Sequence, residues 1–174
     1  APIPELEPSP DPGWRATPPS YIGDPRDPFG LCLDRFLVLD SGLVFLQGWA
    51  VDLERQVSSF ELVPDDGEPV EIRSHLVRVP RADVTTVYSQ QFTEMADRDF
   101  GFLALLPYQY SARAPRPRFE LRFRDGRAPL LAAPGPPVLD PFLARHYLFF
   151  ALPTEPSGRF DLVESILSPA LDVL

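Results

Sequence analysis

Lysine and asparagine are missing altogether from the 174 residues, and cysteine occurs once, at Cys32. All sixteen basic residues are therefore arginine, and no Asn-x-Ser/Thr acceptor for N-glycosylation exists. One cysteine and two histidines, His75 and His146, can supply neither a disulfide nor a Cys/His zinc site within one chain. No metal or other cofactor is expected. Positive charge is also short: 16 basic residues against 25 acidic ones leave a net charge of -9, which repels a phosphate backbone and excludes nucleic acid as a partner. No apolar run approaches the roughly eighteen residues of a transmembrane helix, so no membrane span is expected. Near the N-terminus stand prolines and acids where an export signal needs positive charge and an apolar run, so a cytoplasmic location is expected.

What remains reads as a folded domain. The 44% hydrophobic and 24% charged fractions are those of a globular protein of one domain with tails. At this length folding buries about 70% of the extended chain's surface, enough for a core without staples.

Proline divides the chain. Nine of 23 prolines fall in residues 1–30 and only four in 31–113, so 1–30 reads as an extended, Pro-rich arm. Trp14, Tyr21 and Ile22 are its candidate anchors. Residues 31–133 then carry short apolar runs separated by turn signals, as in an antiparallel β domain. Asp40-Ser41-Gly42, Asp65-Asp66-Gly67 and Asp125-Gly126 each separate two such runs as hairpin candidates, the second joining Gln56–Val63 to Pro69–Val79. Phe119, Leu121 and Phe123 alternate with charges, giving one wet face, whereas Leu43–Val51 and Phe100–Leu106 are apolar on both faces and predict covered central strands. One amphipathic helix is predicted at 83–96, with Val84, Val87, Tyr88, Phe92 and Met95 on one side and Asp83 as N-cap.

Residues 134–174 read as a helical extension. Asp140-Pro141 is a helix start, and Leu139, Phe142, Leu143, His146, Tyr147 and Phe150 form a stripe that needs a cover. A second stripe runs through Leu162, Val163, Ile166 and Leu167. The candidate covers are the β domain, which is favoured, a second copy in a homodimer, or further chain. The expected architecture is thus mainly β: an antiparallel β-sandwich, immunoglobulin-like or jelly-roll-like, with one inserted helix and a helical C-terminal extension. Its predicted core is Leu37, Phe45, Trp49, Phe60, Leu62, Ile72, Phe102, Leu121 and Phe123.

Several local sequences carry a family resemblance. They are Gly48-Trp49-Ala50-Val51-Asp52, Phe60-Glu61-Leu62-Val63 with Asp66-Gly67, Arg78-Val79-Pro80-Arg81-Ala82-Asp83-Val84, Phe100-Gly101-Phe102, and Phe119–Phe123 before Asp125-Gly126. In order and spacing they resemble a β-sandwich module found beside or fused to bacterial glycosyltransferases, often of family 2. The resemblance covers Gly42–Arg127, about half the chain. It implies a non-catalytic accessory domain of polysaccharide biosynthesis, with carbohydrate or a glycosyltransferase domain as partner. The chain has no run of alternating strands and helices that could form a nucleotide-sugar-binding domain.

Four residues are candidates for a carbohydrate site: Trp49, Arg78, Arg81 and Asp83. Trp49 is either a core anchor or a platform on which a sugar stacks. Arg78, Arg81 and Asp83 fall within six residues where a strand gives way to a helix. They suit sugar hydroxyls or an anion, or else Asp83 caps the helix while an arginine pairs with it or with Asp52. Asp97-Arg98-Asp99 spells the metal-binding string of many glycosyltransferases but follows a helix, so a solvated turn is expected. With no Gly-x-Ser-x-Gly elbow, and with Cys32, His75 and His146 on packed elements, no enzyme is expected. The alternative function is a docking module without sugar binding.

Overall fold

The computed structural model describes residues 19–23, 28–40, 42–91, 99–111, 117–133 and 139–151, with 164, 166 and 168–172. In chain order these give β1 (Tyr21–Gly23), β2 (Gly30–Asp40), β3 (Leu43–Val51), α1 (Leu53–Gln56), β4 (Val57–Val63) and β5 (Val70–Glu71). A 3-10 turn at Arg73–His75 leads into β6 (Leu76–Val79), α2 (Ala82–Gln91), β7 (Gly101–Pro107), β8 (Arg118–Phe123), β9 (Leu130–Ala132) and α3 (Pro141–Ala151). A helical segment at Ser168–Asp172 follows. The protein is mainly β, with two antiparallel sheets and short helices.

One sheet has five strands in the order β1-β2-β3-β7-β6, and the other has four in the order β5-β4-β8-β9. The two inner pairs, β3 with β7 and β4 with β8, join strands far apart in sequence. Across the three turn signals β2 pairs with β3, β4 with the two-residue β5, and β8 with β9, all antiparallel. At two of them the backbone takes the left-handed region that favours glycine, with φ of 117° at Gly67 and 92° at Gly126. Asp125 completes the last turn by accepting the Arg127 N–H at 3.0 Å.

A core of aromatic and aliphatic side chains lies between the sheets. Leu31, Leu33, Leu46 and Phe102 from the five-stranded sheet meet Phe60, Leu62, Phe119, Leu121 and Phe123 from the other. The Phe60 and Phe102 rings stand 6.2 Å apart and edge-on, an arrangement favoured by the ring quadrupole. Full burial of each such side chain is worth about 1.5–3 kcal/mol. As expected, β8 alternates between this core and solvent, and β7 is buried on both faces up to Pro107.

Three expectations need correction. The run Pro69–Val79 is not one strand: β5 pairs with β4 in the four-stranded sheet, and β6 pairs with β7 in the five-stranded one. Ile72 turns helical there and drops fully into the core, its N–H donating to the Phe60 carbonyl at 2.7 Å. Arg73 fixes the crossover by donating to Glu71 at 2.8 Å, to the Val57 carbonyl at 3.1 Å and to the Ser58 carbonyl. Leu37 and Phe45 are buried as expected, on the outer face of the five-stranded sheet, and the second correction is Trp49. Trp49 is half-buried on that same outer face, because β3 alternates and sends Leu46 and Ala50 into the intersheet core instead.

The third correction concerns α3. Asp140 caps it as expected, accepting the N–H groups of Phe142 at 2.8 Å and Leu143 at 3.3 Å. The helix packs on the outer face through Ala144 and Leu148, against Leu37, Phe45, Leu103 and Leu105, with Ile166 and Ala170 in the same cluster. The expected stripe is rotated: Phe142 is 79% exposed, Leu139 and Leu143 are exposed, and His146 faces solvent. A one-methyl side chain at Ala144 lets the helix approach the sheet closely, which a stripe centred on Phe142 does not. The helix expected at 83–96 is seen as α2 over Ala82–Gln91, with Val84 and Tyr88 buried but Val87 54% exposed, and Phe92 and Met95 lie outside the described residues, as do Trp14, Leu162, Val163 and Leu167.

Candidate functional site

Both longer helices lie on the outer face of the five-stranded sheet. Val84 and Tyr88 of α2 pack on Val51 and Phe100 at one end, while α3 covers the Phe45 end. Between them runs a row of facing residues across all five strands: Tyr21, Cys32, Trp49, Gly101 and Val79. Because strand residues alternate, these side chains share one face.

Trp49 is the centre of this row. Its ring stands 5.8 Å from Tyr21 and 5.9 Å from Tyr88, tilted to both. Tyr88 is buried and its hydroxyl lies over Gly30, where a Cβ would come within 2.3 Å of it. Tyr21 is 41% exposed, so the Trp49–Tyr21 side of the cluster meets solvent.

Gly101 makes room for Arg81: a Cβ there would sit 2.6 Å from Arg81 Cγ. The Arg81 stem thus crosses the sheet beside Trp49. Its guanidinium donates Nε–H and Nη2–H to the two oxygens of Asp83, at 2.9 and 2.8 Å, in the forked geometry suited to a carboxylate. Its Nη1 donates to Asp34 Oδ2 on β2. Asp34 lies where the β2–β3 register shifts between Leu33 and Arg35, an irregularity of the kind that re-aims a side chain. Its other oxygen accepts the Cys32 S–H at 3.7 Å.

These contacts set the charge states. The Arg81 guanidinium holds the Asp83 carboxyl down at about 2 and is itself held protonated. Burial, then the Asp34 carboxylate, pushes the Cys32 thiol up to about 11. It stays protonated at neutral pH and is a poor nucleophile.

Of the four candidate residues, the fold brings Trp49, Arg81 and Asp83 onto one face. Arg78 does not join them. It lies between Val77 and Val79, which face outward, so it points to the opposite side of β6 and donates to the carbonyls of Ala50 at 3.3 Å and Phe100 at 3.4 Å. Asp83 sits in the first turn of α2 rather than before it, and the Arg81 carbonyl accepts the first helical bond from Thr85 at 2.8 Å. Asp52 pairs with neither of these arginines in the bonds seen: Gln56 donates to it at 2.9 Å and Arg55 stands 3.9 Å away. Asp97 and Arg98 lie outside the described residues.

Asp34, Tyr21 and Cys32 complete the site without having been named as candidates for it. The one local signal was a pair of charges, Asp34-Arg35, inside an otherwise apolar strand. Elsewhere a shallow cleft lies at Arg55, Gln56, Phe123, Arg124 and Asp125. The Phe123 ring there is covered by the Arg127 guanidinium at 4.3 Å, so it offers no open aromatic face. Among the described residues no three His, Cys, Asp or Glu side chains converge as metal ligands, and no helix is long and apolar enough to cross a membrane. No protein-family model, curated protein or solved structure matches this chain.

Proposed function

We propose that this chain is a non-catalytic, carbohydrate-binding accessory domain that works beside a bacterial glycosyltransferase in the cytoplasm. The observation that carries the binding part is the solvent-facing Trp49–Tyr21 pair beside the Asp34–Arg81–Asp83 cluster. An aromatic face takes the C–H side of a sugar ring, and fixed carboxylate and guanidinium groups beside it take the hydroxyls. The link to a glycosyltransferase rests on the resemblance of Gly42–Arg127 to the accessory module.

The reading includes an immunoglobulin-like layout rather than a jelly roll. Lettering β2 to β9 as A, B, C, C′, D, E, F and G turns the two strand orders into ABED and C′CFG, the immunoglobulin arrangement. Domains of this kind carry unrelated functions, so the layout supports the architecture and not the activity.

Saturation-transfer NMR of the chain against a panel of bacterial polysaccharides tests the binding. Transfer to at least one glycan, lost in Trp49→Ala, is the expected result. No transfer to any glycan, together with a tight complex to a glycosyltransferase, favours the second reading, a docking module. That reading has its own support in the exposed Phe142 and Leu143 on α3 and Leu139 just before it.

A further inference from the structure

Which sugars the Arg81 cluster would accept depends on its charge balance, and this rests on the carbohydrate-binding reading above. A guanidinium has five N–H donors, and Arg81 already directs donors from Nε, Nη1 and Nη2 to carboxylates. Two carboxylates therefore share one cation, and the cluster keeps a surplus negative charge. It also keeps a surplus of acceptors. Each carboxylate offers about four lone-pair positions, whereas Asp34 Oδ1 meets only a thiol, a weak donor, at 3.7 Å. The Asp83 side chain is 66% exposed, so much of its carboxylate faces water.

Among the described residues of this sheet face, Arg35 is a further cation, and it is turned onto the Tyr147 ring of α3, 4.1 Å from its centroid. Gln47, its neighbour across the strands, is half-buried and neutral. Beyond the cluster the whole chain carries a charge of -9, which disfavours approach of an anion.

We infer that this strip takes an uncharged, hydroxyl-rich sugar, its C–H face on Trp49 and its hydroxyls donating to Asp34 and Asp83, and that it rejects uronic-acid and phosphate-bearing glycans. A sugar hydroxyl donates to a carboxylate in a charge-assisted bond, whereas a uronate carboxylate brings a third negative charge to a guanidinium that is already paired. Specificity of this kind comes from repulsion of the wrong ligand as much as from attraction of the right one.

The test uses the full chain and two sets of hexasaccharides of matched length: neutral ones (glucan, mannan and galactan) and oligogalacturonate. Saturation transfer and calorimetric titration should show binding of a neutral hexasaccharide with an affinity that changes less than about twofold between low and high salt. Asp83→Asn, at an exposed position, should weaken it about tenfold, the effect of losing one charge-assisted bond. Melting curves of the variant should show that it still folds. Preferential binding of oligogalacturonate by the unaltered chain, or tighter binding of a neutral hexasaccharide by Asp83→Asn, would overturn the inference while leaving carbohydrate binding in place. Binding of neither set removes both.

Discussion

At the scale of single residues the outer-face cluster makes two measurable commitments. Cys32 has its thiol raised from an ordinary 9.0 to about 11 by burial and by Asp34. At pH 8 the thiolate fraction is then far below that of an ordinary thiol, and although the thiolate of a weaker acid is the better nucleophile, iodoacetamide should label it about tenfold more slowly than a small-molecule thiol. Asp34→Asn removes the second cause and leaves Arg81 nearby, so its labelling should be faster than wild type; equal rates would remove Asp34 from the account. Asp83 has the opposite sign. Its carboxyl is lowered from 3.8 to about 2 in the folded chain, so its stabilising contribution is complete above about pH 4 and is lost as pH falls toward 2. Because the group is largely exposed, solvent screening keeps this contribution at no more than about 1 kcal/mol. Melting temperatures of wild type and Asp83→Asn should differ at pH 6 and converge near pH 2.

At the scale of elements, α3 separates packed from unpacked apolar residues within one helix. Leu148 is 2% exposed, so Leu148→Ala should cost about 2–4 kcal/mol, whereas Phe142→Ala, at a residue 79% exposed, should change stability by less than about 0.5 kcal/mol. Chemical denaturation of the two variants gives the comparison, and a large loss from Phe142→Ala would mean that the exposed side chain has a partner. The apolar composition of this helix was legible in the sequence, but its docked face was not. Residues 142, 143, 144, 147 and 148 are all apolar or aromatic, so periodicity alone permits several rotations, and packing on Leu37, Phe45, Leu103 and Leu105 selects the one that buries Ala144 and Leu148.

The same limit applies elsewhere. Hairpin turns were legible because Gly67 and Gly126 need backbone angles that glycine supplies, and β8 because its alternation is local. The β5–β6 break was not, since Ile72 and Arg73 are placed by bonds to Val57, Ser58 and Phe60 from another strand. At the site, Trp49, Arg81 and Asp83 were legible as residue types. Asp34 was not, because its bond to Arg81 spans 47 positions of sequence.

At the scale of the molecule, the two inner strand pairs give the fold a dependence that no single hairpin has. A cut in the Asp65–Gly67 turn would leave β5 in the second piece and β1 to β4 in the first, so the β3–β7, β4–β8 and β4–β5 pairings would all become intermolecular. The first piece would then hold three of the five strands of one sheet and one of the four of the other, the second piece the remainder, each with apolar faces in water. Neither should fold by itself; an equimolar mixture should regain β-sheet circular dichroism with second-order kinetics, and a folded first piece would refute this. In the uncut chain the same pairings make native contacts long-range, and such topologies fold slowly, in about milliseconds to seconds. The speed at which this protein becomes native is therefore set by chain search between its halves, and substitutions in the turns should change that speed less than substitutions in the β3–β7 and β4–β8 seams.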